Sequence, residues 1–486
     1  MRSRSLTISV LLIAGLPVLS FGQSEASGGG GRAERSGASV STTFKPRAKA
    51  PVKRTAPKRI VPKKTAAEYE AEGDKYFDAK DYDSALVAYE NAIRLKPSFQ
   101  ALYRVGWIYN DFEEYAKALL SLDRATAMDT TEAAAFTEKG YALRRLKRSD
   151  EAIAPLKQSI SLDPSGYIAP LELGSLFEEQ KRYAEAEQYL NRSITNKSDN
   201  AGTYEELGLV QRRLGRNTEA IATFNRAISI DPEDSGAYMG LGDVYFYGTP
   251  ADYQKAADAY VKGLEYDPDN QVAAYNAGYA LNDIGKYNDA ITYLAKATKL
   301  KADDVDAWIE TGYSYRKLGN SAESIAAYQR ALQFKANAAV AIAGIGHVYF
   351  EIDKKYPTAA DYFKRVIAFQ PDNAFVLYRL GYCYNDMSQY PQAVDVLTRA
   401  ERSKPDWPNV KIELGYAYMQ QQQYTEAALA LKRAVSLNAD DQLGHYYLGQ
   451  VYVSTGNKTG ANSELRELQR LNSQYTDKLT DLIRKM

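Results

Sequence analysis

One cysteine, two histidines and three tryptophans in 486 residues leave little material for covalent or metal chemistry. A lone Cys383 cannot close an internal disulfide, so packing rather than cross-linking has to hold the fold. Neither His347 nor His445 has a neighbouring cysteine or histidine to complete a metal site. Glycine-rich phosphate loops and the serine elbow of hydrolases are both missing. Beyond residue 19 no apolar run approaches the ~20 residues needed to cross a bilayer. These absences argue against an enzyme and against a bound cofactor or metal.

A net charge is also lacking: 61 Lys and Arg balance 61 Asp and Glu. The balance hides an asymmetry. Residues 1–65 carry 13 basic and two acidic side chains, which leaves the remainder acidic by about 11 charges. Nucleic-acid affinity rests on basic contacts to phosphate, so an acidic body is a poor partner for it. Nucleic-acid binding is set aside.

What the chain has in abundance is a period. Glycine recurs at Gly73, Gly106, Gly140, Gly174, Gly208, Gly242, Gly278, Gly312, Gly346, Gly381, Gly415 and Gly449, with a spacing of 34 in eight of the eleven intervals. Alanine follows twelve residues later at Ala85, Ala118, Ala152, Ala186, Ala220, Ala290, Ala393, Ala427 and Ala461. Within one period, Tyr204, Leu207, Gly208 and Gln211 share one helical face, and Ala220, Phe224 and Ala227 share another. Gly215 stands where a helix ends in a left-handed residue, and Pro232 closes the second helix. The small residues mark a close helix crossing.

This pattern resembles the tetratricopeptide repeat (TPR), a helix–turn–helix unit of 34 residues. The resemblance implies an all-α, right-handed α-solenoid of about twelve repeats over residues 66–473. Residues 474–486 read as a capping helix, with Tyr475, Leu479, Leu482 and Ile483 on its apolar stripe. Two repeats depart from the pattern: longer turns displace the alanine to Ala256 in the sixth and to Ala359 in the ninth. Such turns project from one edge of the array as accessory contacts or as drift.

Ahead of the repeats, Arg2 and Arg4 precede an apolar run from Leu6 to Leu19 and then Ser20-Phe21-Gly22. That succession reads as a signal peptide over residues 1–22, cleaved before Gln23, so the chain is expected to be exported, periplasmic or secreted. No cysteine stands at the cleavage site to carry a lipid anchor. Residues 23–65 contain a glycine tract, four spaced prolines, and eleven basic side chains against two glutamates. They read as a disordered basic linker, suited to loose contact with an anionic envelope surface.

The candidate site is aromatic. In TPR proteins the concave groove is lined by positions 5, 9 and 12 of the first helix, which share one face. Here position 9 holds Trp107, Tyr141, Tyr279, Tyr313, Tyr382 and Tyr416, and position 5 adds Tyr103, Tyr275, Tyr378 and Tyr446. Nine of these, Tyr103, Trp107, Tyr141, Tyr275, Tyr279, Tyr313, Tyr378, Tyr382 and Tyr416, are the expected partner-binding residues. Tyrosine supplies a rigid ring and a hydroxyl, the combination favoured at interfaces; the same rings would also serve to widen the core. His347 stands at position 9 on the groove side, whereas His445 and Cys383 stand at packing positions.

Two narrower family patterns are absent. Position 5 lysine with position 9 asparagine, the carboxylate clamp of chaperone-binding TPR domains, occurs in no repeat. The position 6 asparagine row of glycosyltransferase-type TPRs is replaced by Glu138, Glu172, Glu206, Glu310 and Glu413, with Asn276 alone conforming. What remains is similar to exported bacterial TPR scaffolds. A non-catalytic scaffold of the cell envelope, holding a polypeptide partner in a tyrosine-lined groove, is the leading expectation. The alternative is an envelope organiser acting through the basic tail, with the repeats as spacer or self-association surface.

Overall fold

The computed structural model describes residues 64–486, and among them every regular element is an α-helix. The expected signal peptide, and the linker up to residue 63, lie outside the described residues. Twelve helix pairs follow one another from Ala66 to Arg470, and a final helix spans Thr476–Arg484. No helix among the described residues is long and apolar enough to cross a membrane.

The fifth repeat shows why the sequence folds this way. Asn200 caps the first helix, Ala201–Arg213, its side chain accepting from the Thr203 amide at 3.1 Å. The helix ends in a turn in which the Arg216 amide donates to the Gln211 carbonyl at 2.9 Å, made possible by Gly215 at φ +76°. The second helix, Asn217–Ile230, buries Ala220, Phe224 and Ala227. Burying a side chain the size of Phe224 contributes about 2–3 kcal/mol. Two residues beyond the helix end stands Pro232.

The repeated glycine has a definite opponent. A Cβ added to Gly208 would lie 2.7 Å from the Phe224 ring, and one on Gly106 2.5 Å from Leu122. The large residue sixteen positions on therefore fills the space, and the alanine at Ala220 packs beside it, fully buried. In the last repeat the opponent comes from the final helix instead: Leu479 lies 2.6 Å from where a Gly449 Cβ would stand. Leu479 and Ile483 are buried there with Ala461 and Leu468.

Both irregular turns appear at their expected places. The sixth repeat leaves Tyr247–Asp252 between its helices and the ninth leaves Ile352–Lys355. The apolar core crosses repeat boundaries, since Ile342, Phe363, Leu380, Leu397 and Leu414 belong to one cluster spanning three repeats.

Candidate partner groove

First helices of successive repeats touch one another along most of the array, while successive second helices stand apart. The first helices therefore form its inner side, and their residues 2, 5, 9 and 12 or 13 point along one face.

The structure places the nine rings on that face in two conditions. Tyr141 and Tyr416 are only 5% and 8% exposed, whereas the other seven are half-buried. Each position 9 ring meets the aromatic residue that opens the second helix of the preceding repeat. Trp107 lies edge-on to Tyr82 at 5.4 Å, Tyr141 to Tyr115 at 6.0 Å, Tyr313 to Tyr287 at 6.2 Å and Tyr416 to Tyr390 at 6.2 Å. Tyr279 meets Tyr253 at 6.0 Å and Phe246 at 5.3 Å, and Tyr382 meets Tyr356 at 5.7 Å and Phe350 at 5.1 Å. At position 5, Tyr103 stacks on Phe99 at 5.9 Å, Tyr275 approaches Tyr279 at 6.3 Å, and Tyr378 packs on Trp407 at 4.8 Å. The position 9 rings thus join neighbouring repeats.

Exposed apolar groups extend the rows. Val272, Val340 and Phe375 occupy position 2 and are 61%, 55% and 49% exposed. In the tenth repeat this gives Phe375, Tyr378 and Tyr382 on one face, with Trp407 of the next loop against both Phe375 and Tyr378. Burial, followed by the charge of Glu310, pushes the Tyr279 hydroxyl up to about 12. Burial and the neighbouring Tyr287 push Tyr313 to about 12 as well. Both hydroxyls are protonated at neutral pH.

A polar ladder joins the repeats beneath these rings. Asn110 donates to the Glu138 carbonyl at 3.1 Å and carboxylate at 2.7 Å. Asn282 does the same to Glu310 at 3.2 and 2.9 Å, and Asn385 to Glu413 at 3.0 and 2.8 Å. Arg144 binds Glu172 through Nε at 3.0 Å. In two of the three repeats whose position 12 is phenylalanine the partner is arginine: Arg104 sits 4.1 Å over Phe77, and Arg379 4.5 Å over Phe350, whereas Phe246 is followed by Asn276. In the sequence pattern the position 6 glutamates show only as the absence of an asparagine row. The signal that reveals their role is that each position 12 asparagine, Asn110, Asn282 and Asn385, is followed by a position 6 glutamate in the next repeat.

His445 and Cys383 sit inside the packing. His445 lies 2.6 Å from Glu464 and 3.0 Å from the Ala439 carbonyl. Burial pushes the Cys383 thiol up to about 12, away from thiolate chemistry. Among the described residues no group of three ligating side chains is arranged to hold a metal ion. Beside the long turn of the sixth repeat opens a cavity of about 610 Å³, lined by Ile221, Tyr245, Pro250, Asp252 and Asp283 among others.

Helix pairs stacked in series, each repeat packed on the next, define a solenoid interaction scaffold. Family models described as tetratricopeptide repeat match residues 70–133, 137–201, 275–339 and 350–412. A further model described as TPR repeat matches residues 211–247 and 415–456. The chain belongs to the tetratricopeptide repeat family, and none of the matching models describes a catalytic domain.

No curated protein matches the chain significantly. Similar solved structures include the APC/C hetero-tetramer Cut9-Hcn1, at 14% identity and a TM-score of 0.41, covering 86% of this chain and 96% of its own. Yeast Tom70 is 14% identical, with a TM-score of 0.35 and coverage of 86% and 94%. YrrB, described as a TPR protein with an unusual peptide-binding site, is 21% identical over 38% of this chain and 95% of its own, with a TM-score of 0.33.

Proposed function

We propose that this scaffold serves the bacterial cell envelope after export, holding an extended polypeptide against the inner face of repeats seven to eleven. The observation that carries the reading is the solvent-exposed Val272, Val340 and Phe375 in line with half-buried Tyr275, Tyr279, Tyr378 and Tyr382. An apolar row left open beside polar hydroxyls suits a partner that offers alternating apolar side chains and backbone amides. Half-buried Tyr103 and Trp107 of the second repeat offer a second, smaller contact for another segment of the same partner, with the buried Tyr141 packed behind. Catalysis has no part in this reading.

The test is affinity and melting temperature measured together on Tyr313→Ala, Tyr382→Ala and Phe375→Ala, against the partner captured from envelope extract. A groove contact costs binding about 1–2 kcal/mol per anchor. Unchanged affinity of the folded fraction in all three would refute the assignment. The charge of residues 23–65, eleven basic against two acidic, favours a second reading: the organiser that adheres through its tail to an anionic surface. Deleting residues 23–65 separates the two, because partner loss selects the organiser and retention selects the groove. A second copy of the chain as the captured partner would identify self-association instead.

A further inference from the structure

The first helices of repeats eight, nine and ten bring together a polar cluster that the aromatic rows do not explain. Glu351, on Ala339–Glu351, accepts from Arg316 on Val305–Lys317 and from Arg379 on Ala374–Asp386, the latter at 3.2 Å. Two guanidinium groups thus share one carboxylate, which leaves a positive charge on the inner face of an acidic array. The Nε of Arg316 and the Nδ1 of His347 are buried there without a hydrogen-bond partner. Buried polar atoms are nearly always satisfied, so two idle ones beside an unbalanced cation need a reason.

Aromatic contacts hold these groups in place. The Arg379 guanidinium lies 4.5 Å from the Phe350 ring and Arg316 lies 5.2 Å from the Tyr313 ring. His347 rests edge-on against Phe363 at 5.2 Å. Burial, then the charge of Arg316, lowers His347 to about 3, so its imidazole is neutral at physiological pH and can offer Nδ1–H without adding charge.

We propose that Arg316, His347 and Arg379 form a subsite for one side-chain carboxylate, from an aspartate or glutamate of the polypeptide lying in the groove. A single carboxylate matches the single surplus charge, and a guanidinium fork matches its two oxygens. The subsite stands mid-row, with Tyr275 and Tyr279 on one side and Phe375 and Tyr378 on the other. A chain passing through presents side chains there, whereas a chain end would leave half of the row uncovered. This rests on the groove reading for its occupant, but the subsite can be tested without any partner.

The readout is the imidazole proton–nitrogen spectrum of the full chain, which holds two histidines, His347 and His445. His445, already engaged by Glu464 and Ala439, is the internal control. Three probes are titrated: N-acetylglutamate α-amide, N-acetylalanine and inorganic phosphate. The expected result is a saturable shift of His347 alone, tightest for the blocked glutamate, and weakened at least tenfold in Arg379→Gln. His347→Gln, which keeps a side-chain donor, is expected to bind the blocked glutamate when followed by calorimetry. Preference for N-acetylalanine would overturn the side-chain assignment, and preference for phosphate the carboxylate assignment. Absence of any His347 shift, or full affinity in a folded Arg379→Gln, would overturn the subsite itself. Failure of the Tyr and Phe variants to weaken partner binding would instead remove the groove reading, so the two failures are separable.

Discussion

The ring of Tyr328 fills the place that a side chain on Gly312 would need: a Cβ there would lie 2.8 Å from the ring. The same ring also covers Gly344 of the next repeat, at 2.4 Å from an added Cβ. One tyrosine thereby locks a helix pair and the following repeat. Gly312→Leu is expected to cost about 1–3 kcal/mol through overpacking. Because solenoid contacts are between nearest neighbours, hydrogen exchange should rise in repeats seven to nine. An equal rise in every repeat would contradict this.

Glu310 sets a pH dependence. Burial raises its pKa most, Asn282 opposes through its hydrogen bond, Asp306 and Asp283 add to the rise, and the result is about 7. A folded-state pKa above the unfolded one gives stability that is fully present below about 4.5 and lost as pH rises through 7. Local stability of repeats seven and eight should therefore fall by on the order of 2 kcal/mol between pH 4.5 and 8. Glu310→Gln should flatten that slope. Hydrogen exchange of these helices, corrected for intrinsic rate, measures both.

The inter-helix turn offers a stabilising change. Lys147 and Lys181 occupy the place of Gly215 and adopt φ of 61°. A left-handed conformation strains any residue with a Cβ. Lys147→Gly and Lys181→Gly should each add about 0.5–1 kcal/mol, less the added chain entropy. Thermal melts of the two single variants measure the gain.

Tyr416, sealed between Tyr390 and Tyr447 at 6.2 and 5.1 Å, should behave unlike Phe375. Tyr416→Ala is expected to lower the melting temperature by several degrees and leave affinity of the folded fraction intact. Phe375→Ala is expected to do the reverse. Parallel melts and binding curves decide between ring packing and ring recognition, position by position.

Export is the expectation that Arg2, Arg4, the Leu6–Leu19 run and Ser20-Phe21-Gly22 carry. The mature chain is expected to start at or near Gln23 and to be found outside the cytoplasm. N-terminal sequencing of native protein settles it, and an intact Met1 in a soluble cytoplasmic fraction would refute it.

Sequence alone determined the repeat register, because the small residue at each helix crossing and the residue in the left-handed turn both recur with the 34-residue period. Helical spacing likewise placed Tyr275, Tyr279, Tyr313, Tyr378 and Tyr382 on one face. Only the tertiary structure decided what each repeat does to the next. Tyr141 and Tyr416 are sealed while Tyr382 is half-buried, although all three occupy position 9. Asn385 reaches Glu413, and Glu351 gathers Arg316 and Arg379, across boundaries that the period does not describe. The reason is geometric. A period along the chain specifies the helix pair, but contacts 28 or 35 residues apart depend on how far each repeat is rotated against its neighbour, and that rotation emerges only when the side chains pack.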